Sequence, residues 1–443
     1  MDELKNLFSR TRLYFFNISW IIAEKAVNLV VGFLVTVMVA RYLGPEAFGL
    51  LAYALSLATL FASAGHLGLS GLVVREIVRH PADRAETLGT SFLLKLSGVT
   101  AGFFVLVLLA FLSGTPGSVE FQVLLIVSAS LFFRPFDVID FWFEAHVQAK
   151  YPAMSRSIAL FFSAGLKAGL VFGGAGLVYF AVANFFQGAV AALLLFLFYH
   201  AKSTVPVKAW NASLRRAGDL LREGWIVFLG SIFGVLYLKI DQIMLKWFAD
   251  SQEVGVYAVA ARFSEAWYFV PMAIVASFFP RLISIRESDP ALYTERLQQI
   301  FDLLFTLALA IALPLTLVAG PIISLLFGPA YAKSAPILMV HVWAGLFIFM
   351  RAAFSKWILI ENAVVFSLIT QGVGALANVG INLILIPAYG GMGAAVATLV
   401  SYAGASYFSL IFFAKTRPVF RMMSRAMLAP VRYPLDFLGL KNP

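Results

Sequence analysis

Residues 176–198 read GLVYFAVANFFQGAVAALLLFLF, a run without a single Asp, Glu, Lys or Arg. A helix needs about 20 apolar residues to cross the hydrocarbon of a bilayer, whereas a soluble surface helix of that length keeps a polar face. Runs of the same kind fill the chain on both sides, at 17–40, 47–74, 86–113, 119–143, 151–173, 223–248, 254–280, 295–319, 334–360, 363–386 and 390–414. Only Gly173-Gly174-Ala175 separates the run at 151–173 from the one quoted. The expected fold class is therefore an all-α integral membrane protein of twelve transmembrane helices.

Composition agrees. The 443 residues are 61% hydrophobic and only 13% charged, too few to cover a soluble fold of this size. Mean hydropathy is +0.88. With no cysteine, disulfides, thiol catalysis and cysteine metal sites are excluded. Residues 1–16 carry Asp2 and Glu3 and no small-residue cleavage site, so the first apolar run reads as a retained helix.

A net charge of +10 raises the question of nucleic acid, but orientation accounts for it. On alternate loops and both termini, from Lys5, Arg10 and Arg12 through Arg215 and Arg216 to Arg432 and Lys441, stand 22 Lys and Arg. The opposite side has three, Arg41, Lys246 and Lys333. This asymmetry places both termini in the cytoplasm and requires an even number of spans. No nucleic-acid partner is expected.

The two halves resemble each other at an offset of about 205 residues: Trp20 with Trp225, Arg41 with Lys246, Gly49 with Gly255, Gly114 with Gly320. Six helices per unit is even, so the units enter the membrane in the same sense, as in parallel repeats with two lobes around a central cavity. The expected organisation is an N-terminal six-helix lobe at 1–200, an amphipathic cytoplasmic linker at 201–222, a second lobe at 223–415 and a basic tail at 416–443. In the linker, Val207, Trp210, Leu214, Ala217 and Leu221 share one helical face while Lys208, Arg215 and Arg222 lie elsewhere. That suits a helix on an anionic leaflet. Arg421 and Arg425 with Met422, Met423, Met427 and Leu428 give the tail a similar reading, and orientation signal plus plain linker is the alternative for both.

Eight bases remain inside the spans or near their ends: Lys25, Lys95, Arg134, Lys167, Lys239, Arg262, Arg351 and Lys356. A charge at mid-membrane costs about 2.5–3.5 kcal/mol on insertion scales. Lys356 can snorkel, and Lys25 and Lys95 can do so in part. Acids in the spans are Glu24, Asp137, Asp140, Asp241, Glu265, Asp302 and Glu361. Local pairing is expected for Glu24 with Lys25, Asp241 with Lys239 and Glu265 with Arg262, whereas Lys95 and Lys167 have no acid nearby in sequence. One reading is neutralised pairs that lock helices together. The other is a cationic, water-filled route for a phosphate or pyrophosphate, with Arg as bidentate partner and Lys as point charge. Its candidate substrate-binding residues are Lys25, Arg134, Lys167, Lys239, Arg262 and Arg351.

Several segments together carry a resemblance over residues 17 to 415. These are Ala40-Arg41-Tyr42-Leu43-Gly44-Pro45-Glu46-Ala47-Phe48-Gly49, Gly71-Leu72-Val73-Val74-Arg75-Glu76, Lys239-Ile240-Asp241-Gln242-Ile243-Met244-Leu245 with Val254-Gly255-Val256-Tyr257, and Leu326-Phe327-Gly328-Pro329-Ala330-Tyr331. They resemble polysaccharide transporters of the Wzx oligosaccharide flippase type. That superfamily includes lipid II flippases and multidrug exporters. The resemblance implies two six-helix bundles working by alternating access in the bacterial inner membrane. It also implies an undecaprenyl-pyrophosphate-linked glycan moved to the periplasmic leaflet, without enzymatic chemistry. Anionic phospholipids and polysaccharide polymerase machinery are the further partners it suggests. Lipid II flippases set basic residues of their first and eighth helices against the pyrophosphate, and Lys25 and Arg262 occupy comparable places. A base expected on the second helix is absent; His66 stands there.

The same relatives suggest a coupling-ion site: Asp241, Asn378 and Asn382 at i,i+4, and Thr398, with the Ala394 carbonyl nearby. Hard oxygens suit Na+, and H+ coupling through Glu24, Asp241 or Glu265 is the alternative. No cofactor is expected. The rival functions are a lipid II flippase, a drug exporter of the same fold, and a polysaccharide polymerase or ligase. The last needs a periplasmic loop with catalytic residues, and the longest outer loop, 320–333, has one Lys and no acid or His.

Overall fold

The computed structural model describes residues 2–361 and 363–432. Within them every regular element is helical: α1 (Asp2–His66), α2 (Ser70–Arg79), α3 (Arg84–Ser113), α4 (Val119–Ala129), α5 (Val138–Ala145), α6 (Lys150–Phe172), α7 (Leu177–Lys202), α8 (Leu214–Phe248), α9 (Ser251–Glu265), α10 (Phe269–Ser288), α11 (Pro290–Phe327), α12 (Ser334–His341), α13 (Ala344–Ile360), α14 (Val364–Ser406) and α15 (Arg417–Met427). Among the described residues ten helical stretches are long and apolar enough to cross a membrane. Phe172, Leu317 and Ile384 are at least 73% exposed, which a lipid solvent explains and water does not. This is a multi-pass helical membrane protein.

The first and last stretches, Ser19–Arg79 and Val365–Ile411, are far longer than one crossing requires. Glycines interrupt both. Gly44 adopts φ 76°, ψ 169°, a conformation closed to residues with a Cβ, and Pro45 then has no N–H to return to the preceding turn. Gly390 (φ 54°, ψ −132°) follows Pro387. A Cβ there would lie 2.6 Å from Glu253 Oε2, the same oxygen that accepts from Gly391 N at 2.9 Å.

Four expected spans are not continuous. Turns at residues 67–69, 266–268 and 342–343 and a 3-10 segment, Ser130–Asp137, interrupt the runs at 47–74, 254–280, 334–360 and 119–143. In the last of these Pro135 withdraws an amide from the ladder and loosens the helix where Arg134, Asp137 and Asp140 project.

Of the described residues, those up to Lys239 form one compact unit and those from Ile240 the other. The division falls inside α8, later than the boundary expected after residue 222. In the first unit α6 packs on α1 and α7, and α3 on α1 and α4. Leu69, Val73, Val138, Trp142, Phe143 and Tyr199 form a buried core. In the second, α11 packs on α12 and α13, and Phe301, Phe327 and Phe354 are fully buried.

The linker corrects an expectation. Residues 207–221 do not form one surface helix: a 3-10 turn, Val207–Ala209, gives way to extended chain, and α8 then starts at Leu214 and continues into the span. Side chains hold the extended piece. Trp210 Nε1 donates to Tyr199 OH at 3.0 Å, Tyr199 OH to Val205 O at 2.6 Å, and Ser213 N to Thr90 Oγ1 at 3.1 Å. Packing of Trp210 on Phe92 and Tyr199 wins over the helical periodicity. The tail differs too. The apolar face of α15, Val419, Met423 and Ala426, is buried, and α15 packs on α11 instead of leaving that face for lipid. Arg432 then reaches the buried carboxylate of Asp302. The tail beyond residue 432, with Pro434 and Lys441, lies outside the described residues.

Candidate functional site

The first unit holds a cavity of about 420 Å³, lined among others by Asn28, Arg134, Asp137, Asp140, Arg156 and Asn184. Five elements supply these six residues: α1, the 3-10 segment (Arg134 and Asp137), α5, α6 and α7. Arg156 is its hub. The guanidinium meets Glu24 Oε1 at 3.2 Å through Nε and Asp140 Oδ2 at 2.8 Å through Nη1, and Asn28 Nδ2 donates to Glu24 Oε1 at 3.0 Å. Lys95, only 1% exposed, faces Asp137 at 3.7 Å and the Phe141 ring at 5.1 Å. Lys167 donates to Asn184 Oδ1 at 2.9 Å. Arg134 is exposed on the cavity wall, with no carboxylate at ion-pair distance among the described residues.

This arrangement corrects the expectation of a simple cationic passage. Asp137 and Asp140 line the cavity beside Arg134 and Arg156, so its wall carries both signs, and the ion pairs join Asp137 to Lys95 and Arg156 to Asp140 and Glu24. Glu24 turns to Arg156 and Asn28 rather than to Lys25, which is exposed. Lys95 does have an acid, on another helix.

The six expected substrate-binding residues do not all meet in this cavity. Arg134 lines it, and Lys167 joins through Asn184. Lys239 is half-buried at the end of the first unit. Arg262 and Arg351 belong to the second, where Arg262 is exposed. There Arg351 donates to Ser367 Oγ at 3.1 Å and lies 5.4 Å from the Phe354 ring centre. Arg156, Asp137 and Asp140 escaped sequence reasoning as site residues. Arg134, Asp137 and Asp140 recur at three-residue spacing, which is the available signal; Arg156, near the start of the run at 151–173, carries none in sequence.

The second unit brings the expected coupling-ion residues together in one buried cluster. Asn382 Nδ2 donates to Asp241 Oδ1 at 2.6 Å and to Asn378 Oδ1 at 3.0 Å. Thr398 Oγ1 lies 2.6 Å from Asp241 Oδ2 and 3.0 Å from Ala394 O. Tyr257, not expected here, donates to Asp241 Oδ2 at 2.6 Å. All five side chains are at most 3% exposed. Asp241 therefore turns to this cluster, where pairing with Lys239 was the sequence expectation.

Two polar atoms of the cluster have no hydrogen-bond partner among the described residues, Asn382 Oδ1 and Asn378 Nδ2. Turning the Asn382 amide over exchanges its N and O. Its oxygen would then face Asp241 Oδ1, and two oxygens so close require a cation or a proton between them. With Asn378 Oδ1, Thr398 Oγ1 and Ala394 O, the donor set is entirely oxygen, the chemistry of a hard cation. The residues present fit such an ion.

Long apolar helices with ion pairs buried among them define a helical membrane protein rather than a soluble fold. The chain belongs to the polysaccharide biosynthesis protein family, whose model matches residues 15–286. It is 25% identical to the probable flippase AglR of Haloferax volcanii, over 84% of this chain and 77% of that one. The fold is similar to the lipid II flippase MurJ in an inward closed conformation, with TM-score 0.68, 15% identity and coverage of 95% and 93% of the two chains. An inward-facing multidrug resistance transporter of the MATE family gives TM-score 0.64, 15% identity and coverage of 90% and 96%. At 15% identity these two likenesses show the fold that the chain shares with them.

Proposed function

We propose that the chain flips an undecaprenyl-pyrophosphate-linked oligosaccharide from the cytoplasmic to the periplasmic leaflet of a bacterial inner membrane by alternating access. Arg134 carries the proposal: a base without a carboxylate, on the wall of a polar cavity, two helices from an Arg156 already in bidentate use. A pyrophosphate offers Arg156 the fork geometry it now finds on Glu24 and Asp140, and Arg134 supplies the first attraction. The acids return Arg156 to a neutral resting state after release. The sugar is uncharged cargo in this scheme.

Counting the stretches broken at Gly44 and Gly390 as two helices each makes twelve spans, with both termini cytoplasmic. Interruptions in the second, fourth, eighth and tenth of these fall at matching places in each half, which supports the duplication. Coupling runs through the Asp241 cluster, by Na+ or H+. Anionic lipids and polymerase machinery are the expected company in the membrane.

Complementation of a flippase-deficient strain tests the reading. Arg134→Ala, Lys239→Ala and Arg262→Ala are each expected to abolish surface polysaccharide at normal membrane abundance, and normal polysaccharide in all three contradicts it. A drug exporter is the second reading, favoured by the acids Asp137 and Asp140 on the cavity wall. It predicts that Asp137→Asn lowers resistance to cationic drugs, whereas a flippase leaves resistance unchanged.

A further inference from the structure

A second cavity, about 430 Å³, opens between α10 and α11 of the second unit, away from the residues discussed above. Its polar lining is Arg281, Arg296 and Gln299. Arg281 has no carboxylate at ion-pair distance among the described residues, and Arg296 donates to Gln299 Oε1 at 2.8 Å. The other arginine of this hairpin, Arg286, is already paired with Glu361 at 2.7 Å. Among the described residues no acid lines the groove.

Depth orders these residues. α10 ends at Ser288 and α11 starts at Pro290, capped by Asp289. At 1.5 Å per residue, Arg281 and Arg296 lie roughly 10–12 Å from that turn. Phe278 and Leu303 lie roughly 17–21 Å from it by the same rise, well into the hydrocarbon. Leu282 and Ile300, at most 6% exposed, form the floor between the helices, while Phe278 and Leu303 stand about half exposed as walls. The groove is cationic near the membrane surface and apolar below, and charge asymmetry assigns that surface to the cytoplasm.

We infer that this groove is a binding site for one anionic phospholipid of the bilayer, its phosphate held between Arg281 and Arg296 and an acyl chain laid along Leu282 and Ile300. The polarity gradient matches a single amphiphile with its headgroup at the hairpin end. Two exposed guanidiniums without an acid between them favour an anionic headgroup over a zwitterionic one. The site is separate from the transport cavity, and it does not depend on which substrate the protein carries.

Native mass spectrometry of the full chain in a non-ionic detergent reads this without any transport assay. One phosphatidylglycerol is expected to remain bound where phosphatidylcholine with the same acyl chains does not. Arg281→Ala/Arg296→Ala is expected to weaken that binding by about fivefold per arginine. Leu303→Trp, which keeps the charge and fills the groove, is expected to lower retention as well, and it decides the matter if the double variant fails to fold. Arg421→Ala/Arg425→Ala, an equal charge change on α15, is expected to leave retention alone. Equal retention by the groove variants overturns the inference, as does equal loss in the α15 control. Displacement of phosphatidylglycerol by equimolar undecaprenyl pyrophosphate would assign the groove to the transported lipid, and displacement by inorganic phosphate would reduce it to an ion site; either result contradicts it.

Discussion

Asp241 has two carboxylate oxygens and three donors around them, from Asn382, Tyr257 and Thr398, in a site closed to solvent. Such a carboxylate is satisfied without a metal, so a cation must displace donors to enter, and occupancy registers as stability. Sodium at ten times its Kd adds about 1.4 kcal/mol to the folded state. Thermal unfolding in detergent is therefore expected to shift upward with sodium in the wild type and not in Asp241→Asn. No sodium shift in the wild type would leave protons as the coupling ion. The clustering of Asp241, Asn378, Asn382 and Thr398 was legible from the one-turn spacing of the two Asn residues and from family resemblance, whereas Tyr257 was not, because an aromatic in an apolar run reads as a belt residue. The ion pairs were the least legible. Glu24 sits next to Lys25 in sequence, yet its partner Arg156 is 132 residues away, a contact that only the packing of α6 on α1 creates.

At the scale of elements, apolar runs marked the spans because lipid imposes the same requirement on every crossing. Interruptions were harder to read, since a proline or glycine inside a run is tolerated wherever neighbours take up the freed groups. Gly390 shows how such a break is held. Its φ of 54° excludes a Cβ on conformational grounds, and Glu253 occupies the space where one would be. Gly390→Ala is expected to destabilise the second unit by about 2–4 kcal/mol, the combined cost of strain and of displacing a partly buried acceptor. Gly44→Ala meets no atom within 4 Å and carries strain alone, so it is expected to cost about 1–3 kcal/mol. Urea or thermal unfolding of the two variants side by side checks the ranking, and a smaller loss for Gly390→Ala would contradict it. The linker failed as an expected surface helix for a related reason: periodicity records which residues share a face, but not that Tyr199 and Phe92 offer Trp210 a better contact than lipid does.

For the molecule as a whole, the account depends on charge that is stored in balance and released to a pyrophosphate. Insertion costs for lone charges make paired storage the stable resting arrangement, and Arg156 between Glu24 and Asp140 is stored in this way. Arg134 stands on the cavity wall with no carboxylate at ion-pair distance among the described residues. The direct test is translocation of undecaprenyl-pyrophosphate-linked oligosaccharide by the purified full chain in proteoliposomes, wild type beside Arg134→Ala. The account predicts translocation by the wild type and a loss of roughly ten- to hundredfold in the variant at unchanged thermal stability, the scale of one charge-assisted contact. Equal rates for the two proteins, or no translocation by a folded wild type, would contradict it.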